Sequence, residues 1–226
     1  MTNAERVSTV EYPDIFDAIM ADDLEAIEAM LHVDPALAAR QDHRSPILLA
    51  AYRQRRDALE ALLRREPPLD VFEAAATGAL EVVRVLLAER PGRVGAYSDD
   101  GLTALHLAAF FGHDPVVQEL IDRGARPGAV AHNEEESAPL HLAVAGAHQS
   151  TAALLLELGA AVDAQELGGV TPLHLAARRG NFDLVRLLLS HGARREVETE
   201  TGKTAADLAY EFEHDALAAF LRSGGG

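Results

Sequence analysis

The fold of this chain is decided by the stretch TPLHLAA at residues 171–177, which recurs in altered form at three other places. The related stretches are TALHLAA at 103–109, APLHLAV at 138–144 and TAADLA at 204–209. Their first residues lie 35, 33 and 33 positions apart along the chain. A motif that returns at this period is typical of an array of stacked repeats.

Each repeat is predicted to contain two helices and a turn, most clearly in the unit that begins at Thr171. A short first helix over 173–179 ends near Gly180, and a second helix carries four apolar residues on one stripe: Leu184, Val185, Leu188 and Leu189. The sequence SHGA at 190–193 closes that helix, because glycine supplies the left-handed cap. The segment up to Gly202 predicts a turn or hairpin, called a finger below. One unit cannot bury its stripe alone, so it must stack on its neighbours.

Motif and period together resemble the ankyrin repeat. The resemblance implies an all-α, ankyrin-repeat α-solenoid of about seven helix-turn-helix units with short β-hairpin or turn fingers. Three units match closely and four are degenerate. The predicted units are approximately 13–44, 45–68, 69–102, 103–137, 138–170, 171–203 and 204–222, in a single domain over 1–222 that is followed by a flexible tail at 223–226. Arginine outnumbers lysine 19 to 1, and this usage favours a bacterial source.

Two fingers are predicted to depart from the regular pattern. The second unit is only about 24 residues long, and its segment REPPLD at 65–70 predicts an extended connector, because proline cannot donate a ladder hydrogen bond. One finger is therefore expected to be missing near Pro67 and Pro68. The 35-residue unit predicts a longer, acidic finger at Glu134, Glu135 and Glu136.

Composition restricts the classes of function. The chain has no cysteine, which excludes disulfides, thiolate nucleophiles and zinc ribbons. A net charge of −16 argues against nucleic acid or an anionic membrane as the principal partner. The N-terminal residues 1–11 lack the zones of a secretory signal, and the default expectation is a cytoplasmic protein. Both terminal units contain many acidic residues, which predicts a complete, monomeric array.

The recurring histidines His106, His141 and His174 suggest chemistry at first sight. Stacked helices lie about 8–10 Å apart whereas a zinc ion needs ligands about 2 Å away, so three successive repeats cannot share one metal. The ankyrin resemblance implies a structural role instead, with His106 bonded to Thr103 and His174 bonded to Thr171, each also reaching adjacent loop backbone. Ala138 lacks a hydroxyl group, so His141 is expected to form only part of this network. His113, His148 and His214 are predicted to be surface or capping groups.

No catalytic motif is recognisable, and no cofactor is predicted. His132 with Glu134, Glu135 and Glu136 is the only local cluster of histidine and carboxylate groups. A metal-dependent or enzymatic protein that uses this finger is the alternative to a non-catalytic scaffold.

The resemblance implies that a partner protein binds to the concave face formed by the finger tips and the first helices. The predicted partner-binding residues are Tyr52, Arg53, Asp99, Asp100, Leu102, Phe110, Phe111, Glu134, Glu135, Leu167, Val170, Arg178 and Arg179.

Three features of this surface leave alternatives open. At least one of Phe110 and Phe111 is expected to be exposed for binding; alternatively, one ring fills the space under the acidic finger and the other packs on the next repeat. Arg178 and Arg179 either clamp a partner carboxylate or pair with Glu200 or Asp207. A basic strip over 53–65 either accepts an acidic peptide or balances the acidic first unit. The small pair at 145–146 would let a partner backbone approach closely.

Overall fold

A computed structural model describes residues 12–223 of the chain. Of the predicted flexible tail, residues 224–226 lie outside this part, as does the N-terminal segment 1–11. The described residues form fourteen α-helices and contain no extended β-strand, which confirms the all-α fold. The helices are α1 (Ile15–Ala21), α2 (Leu24–Val33), α3 (Pro46–Tyr52), α4 (Arg56–Leu63), α5 (Val71–Ala76), α6 (Leu80–Glu89), α7 (Ala104–Phe111), α8 (Asp114–Asp122), α9 (Pro139–Ala145), α10 (Gln149–Glu157), α11 (Pro172–Arg178), α12 (Phe182–Ser190), α13 (Ala205–Glu211) and α14 (Asp215–Arg222).

The fourteen α-helices form seven consecutive pairs, as the repeat pattern predicts. The chain divides into two compact units, Met1–Glu73 and Ala74–Gly226. In the first unit, α1 packs against α2 and α3, and α2 packs against α4. In the second, α7, α9, α11 and α13 pack one after another, and α6, α8, α10 and α12 do the same. A single domain over 1–222 stays a prediction.

The core of the first unit is made by the apolar stripes of its helices. Ile15, Ile19, Ile27, Leu31 and Leu62 are almost completely buried there. The basic strip of this unit pairs with its acidic first repeat: Arg55 lies 3.0 Å from Asp22, and Arg64 lies 2.7 Å from Glu28. The intramolecular alternative therefore accounts for these two arginines.

Every turn between a first and a second helix contains one residue with left-handed backbone. These residues are Asp22, Gln54, Gly78, Gly112, Ala147, Gly180 and Glu213, with φ between 54° and 77°. Glycine adopts this conformation at no steric cost, and only three of the seven turns use it. Each turn reverses the chain so that the second helix packs back against the first.

The fingers of the second unit lie side by side and are joined through their backbones. His132 N donates to Gly101 O at 2.8 Å, Leu167 N to Glu135 O at 2.9 Å, and Glu200 N to Gly168 O at 2.8 Å. The connector 123–138 is two residues longer than 158–171 or 191–204, as expected for the long acidic finger. The connector 64–70 has seven residues, half the length of 158–171 or 191–204, so the missing finger is confirmed.

Candidate functional site

The motif histidines connect each first helix to the next finger. In His106, which is fully buried, Nδ1 accepts hydrogen bonds from Thr103 N at 3.2 Å and from the Thr103 hydroxyl at 2.7 Å. The proton therefore sits on Nε2, which donates to Ser137 O in the following finger at 3.0 Å. His174 makes the equivalent bonds to Thr171 at 2.8 Å and to Lys203 O at 3.1 Å. These are the contacts that the resemblance implies.

Burial keeps these imidazoles neutral. It lowers the pKa of His106 to about 4, although the hydrogen bond to Ser137 O partly opposes the shift. Burial likewise lowers the pKa of His141 and of His174. Since each Nδ1 already accepts a backbone N–H, its lone pair is not available to a metal ion.

His141 makes only part of the network, because Ala138 stands where the other units have threonine. Its Nδ1 accepts from Ala138 N at 3.2 Å, and its Nε2 reaches Val170 O at 3.2 Å. The helix α9 consequently begins without a side-chain N-cap hydrogen bond.

Replacing Ala138 with threonine should stabilise the protein. The new hydroxyl group would cap α9 and donate to His141, which is worth about 1 kcal/mol. Chemical denaturation should show this gain in the free energy of unfolding. Thr103→Ala is the matched control, because the Thr103 hydroxyl accepts from His106 N at the start of α7, and it should cost about the same amount. A loss of stability in Ala138→Thr would show that this site has no room for the hydroxyl group.

Glu73 occupies the position of the motif histidine in the third repeat, and the sequence analysis missed it. It is 1% exposed, accepts from the Ser45 hydroxyl at 2.6 Å and accepts from Asp70 N at 2.9 Å. Asp70 in turn accepts from Glu73 N at 2.8 Å. Asp70 followed three residues later by Glu73 is a capping box, and this spacing could have identified it. Glu73 thus joins the N-caps of two successive repeats where the finger between them is missing.

His113, His148 and His214 do more than the predicted surface or capping role. They precede the second helices α8, α10 and α14, and their rings lie over the turn glycine of an earlier repeat. A methyl group on Gly78, Gly112 or Gly180 would come within 2.7 Å of these rings. The repeats therefore approach closely at each of these turns, which the sequence of one repeat does not reveal.

The predicted partner-binding residues of the second unit occupy the finger row and the ends of the first helices. Asp99, Asp100, Glu134, Glu135, Leu167, Arg178 and Arg179 are exposed, whereas Leu102, Val170, Phe110 and Phe111 are half-buried. Tyr52 and Arg53, which are exposed at the end of α3, belong to the first unit.

Phe110 and Phe111 pack edge to face on each other. Their ring centroids are 5.0 Å apart, with an angle of 85° between the rings, and both side chains are half-buried. Neither ring is fully exposed to solvent, and neither is fully buried in the core. A substitution in this pair would change packing as well as the surface.

The prediction that Arg178 and Arg179 pair with Glu200 or Asp207 is wrong. Arg179 donates to the carbonyl of Ala145, while Asp207 pairs with Arg222 at 3.2 Å. Among residues 12–223 Arg178 has no ion pair and is exposed. Arg222 of α14 lies in the same repeat as Asp207, and it therefore occupies this carboxylate.

The small residue Gly146 is required by packing within the protein. A methyl group there would lie 2.4 Å from Phe110 O. The absence of a side chain at Gly146 is therefore required by the preceding repeat, and the close approach of a partner backbone to the pair 145–146 stays a prediction.

The acidic finger does not form a recognisable metal site. The His132 ring stacks on Tyr97, with centroids 3.7 Å apart, and this contact holds it at the finger edge. Nowhere in the described residues do three or more histidine or carboxylate groups come together in a way that could hold a metal ion.

Models of known protein families match the repeated part of the chain. Residues 71–166 match a model described as ankyrin repeats in three copies, and residues 155–209 match one described as ankyrin repeats in many copies. The two matches run from residue 71 to 209, more than half of the chain. The chain belongs to the ankyrin repeat family. Its repeat motif and helix pairs are therefore those of ankyrin repeats.

Two relatives are similar over part of this ankyrin array. A rice protein named probable E3 ubiquitin-protein ligase XBOS31 (Oryza sativa subsp. japonica) is 35% identical over 130 residues, which are 52% of this chain and 29% of the rice protein. The human ankyrin repeat domain-containing protein 49 is 39% identical over 71 residues, which are 31% of this chain and 30% of the human protein. The chain spans less than a third of the length of these relatives.

Ankyrin repeats generally mediate contacts between proteins. No helix in the described part of this chain combines the length and the apolar composition that a bilayer crossing requires.

Proposed function

We propose that this ankyrin protein is a non-catalytic scaffold that binds a partner protein through the concave face of its second unit, in the cytoplasm as the sequence predicts. The observation that carries the proposal is the row of fingers joined by backbone hydrogen bonds. Such a row fixes the spacing of its side chains before a partner arrives, which reduces the entropy lost on binding.

The exposed groups on this row favour a partner segment that is basic and partly apolar. Glu134, Glu135 and Glu200 are exposed and have no ion pair among residues 12–223. Leu167, which is 62% exposed, lies beside a hollow of about 300 Å³ whose lining includes Glu136 and Glu200. A lysine or arginine side chain matches these carboxylates, and an adjacent apolar side chain can cover Leu167.

Affinity capture with charge-reversed variants tests the proposal. The bait is the full chain, and the prey is a lysate of the organism from which it comes. We expect Glu134→Lys combined with Glu135→Lys to reduce capture of the specific partner at least about fivefold, with a larger reduction at low salt. Leu167→Ser should weaken the same capture without a change in the melting temperature, because this side chain is exposed.

The matched control reverses two exposed charges on the second helices, Glu89→Lys and Glu157→Lys. This control changes the net charge by the same amount, so it separates a local contact from a general electrostatic effect. A partner that both double variants lose equally would contradict binding at the finger row. The same holds for a partner that both retain.

A further inference from the structure

Among residues 12–223, α14 is the last helix, and one of its faces is not covered by any other described element. Asp215, Ala218, Ala219 and Arg222 line one hollow of about 520 Å³, together with Tyr210 and Ser223. These four residues of α14 are spaced i, i+3, i+4 and i+7, so they lie on one side of the helix. The exposed part of this face has Asp215 at its acidic end, the small Ala219 at its centre and Arg222 at its basic end, whereas Ala218 is buried.

In the preceding repeat the corresponding face is covered by another layer. Phe182 stands at the position equivalent to Asp215, and its ring lies 5.9 Å from that of Phe220 in α14. Ala177 stands at the position equivalent to Tyr210 and is completely buried, whereas Tyr210 is 60% exposed. Phe212, beside it, is 51% exposed. The position of Tyr210 is thus one that the repeat architecture buries wherever a further layer is present.

We propose that this face binds a second copy of the same chain, with the two α14 helices antiparallel about a two-fold axis. An antiparallel pair places Asp215 of each copy opposite Arg222 of the other, so the face is complementary to itself. Asp215 is exposed and has no ion pair among residues 12–223. Arg222 is 53% exposed, pairs with Asp207 at 3.2 Å and lies 5.4 Å from the centre of the Tyr210 ring.

The exposed Ala219 between the two charges makes a close approach possible. Alanine at the centre of a helix pair lets the two backbones come together, and each Tyr210 would then cover part of the partner helix. One helix face is a small interface, so we expect a dissociation constant in the micromolar range. The net charge of −16 opposes association, but at 0.15 M salt charges more than about 8 Å apart are largely screened.

The proposal departs from the expectation of a monomer and is independent of the proposed concave-face function. Sedimentation velocity on the full chain, from about 1 to 300 µM in 0.15 M salt, should show a reversible monomer–dimer equilibrium. Asp215→Arg and Arg222→Asp should each weaken the dimer at least about tenfold, because each variant places like charges opposite each other. Circular dichroism checks that both variants keep the helical fold.

Mixing the two single variants is the decisive measurement. In the mixed pair every position 215 again faces an opposite charge at position 222, so a heterodimer should form with near wild-type affinity. The double variant Asp215→Arg with Arg222→Asp should dimerise for the same reason, and it serves if Arg222→Asp alone does not fold. A wild-type chain that is monomeric at 300 µM would overturn the proposal, as would single variants that dimerise like the wild type or complementary charges that fail to restore the dimer.

Discussion

Replacing Gly101 with alanine should lower the free energy of unfolding by about 3 kcal/mol, the largest loss we expect from a single methyl group. Gly101 has a φ of +74°, in the left-handed region that costs an L-residue about 1–2 kcal/mol. The added methyl carbon would also lie 2.4 Å from His132 O and 2.5 Å from its carbonyl carbon. These are backbone atoms of the next finger, so the two fingers would have to separate and weaken the 2.8 Å bond from His132 N to Gly101 O.

The protein supplies a matched control for this experiment at Gly202. This glycine occupies the same position in the last finger, with a φ of +73°, and a methyl group there would meet no atom within 4 Å. Gly202→Ala should therefore cost only the backbone strain, about 1 kcal/mol. Urea denaturation of both variants measures the difference, which reports the packing between neighbouring fingers. Equal losses in Gly101→Ala and Gly202→Ala would mean that packing between neighbouring fingers makes no measurable contribution to the free energy of unfolding.

Lowering the pH from 7 to 5 should destabilise the protein by about 2 kcal/mol through His106 alone. In the folded state the pKa of this histidine is about 4 because it is buried, whereas the unfolded chain has the ordinary value of 6.5. Above pH 6.5 the imidazole is neutral in both states. Below pH 6.5 the unfolded state takes up the proton first, so stability falls between pH 6.5 and pH 4. His113, His141 and His174 also have lowered pKa values and add to the same slope.

His106→Gln isolates the contribution of this histidine. Glutamine at the third helical position can still bond back to the N-cap backbone, yet it does not titrate. The variant should lose stability at pH 7 but show a pH dependence smaller by about 2 kcal/mol between pH 7 and 5. The comparison with the wild type cancels the effect of the acidic residues, whose repulsion also changes over this range. An unchanged pH dependence would mean that His106 titrates normally in the folded protein.

The repeat period and the motif predicted the fold because both follow from local chemistry. Each repeat contains its own helix signals: a threonine N-cap, a histidine three residues later and a glycine after the helix. These signals act within one repeat, so a single sequence shows them. The same logic predicted the missing finger from two adjacent prolines. This reasoning did not identify Glu73, because a glutamate stands there in place of the motif histidine, although it makes the same kind of capping contact.

The candidate binding face was predicted less completely. Exposure at Glu134, Glu135, Leu167 and Arg178 agrees with the predicted surface, and their role in binding stays a proposal. The contacts of Arg179 and Gly146 could not be inferred, because their partners Ala145 O and Phe110 O belong to the preceding repeat. Which atoms of the preceding repeat a side chain contacts depends on the distance between the stacked repeats, and the sequence of one repeat does not contain that distance.

The sequence by itself determined that this chain is an array of helix pairs, that each copy of the motif opens a short helix, and which finger is absent. These features depend on residues that are close together along the chain. Only the tertiary structure decided that His113, His148 and His214 lie against glycines of an earlier repeat, that the fingers are joined through their backbones, and that Tyr210 is exposed among the described residues. Those features depend on atoms about 30 or more residues apart, or on whether another layer covers a helix, and the packing of neighbouring repeats determines both.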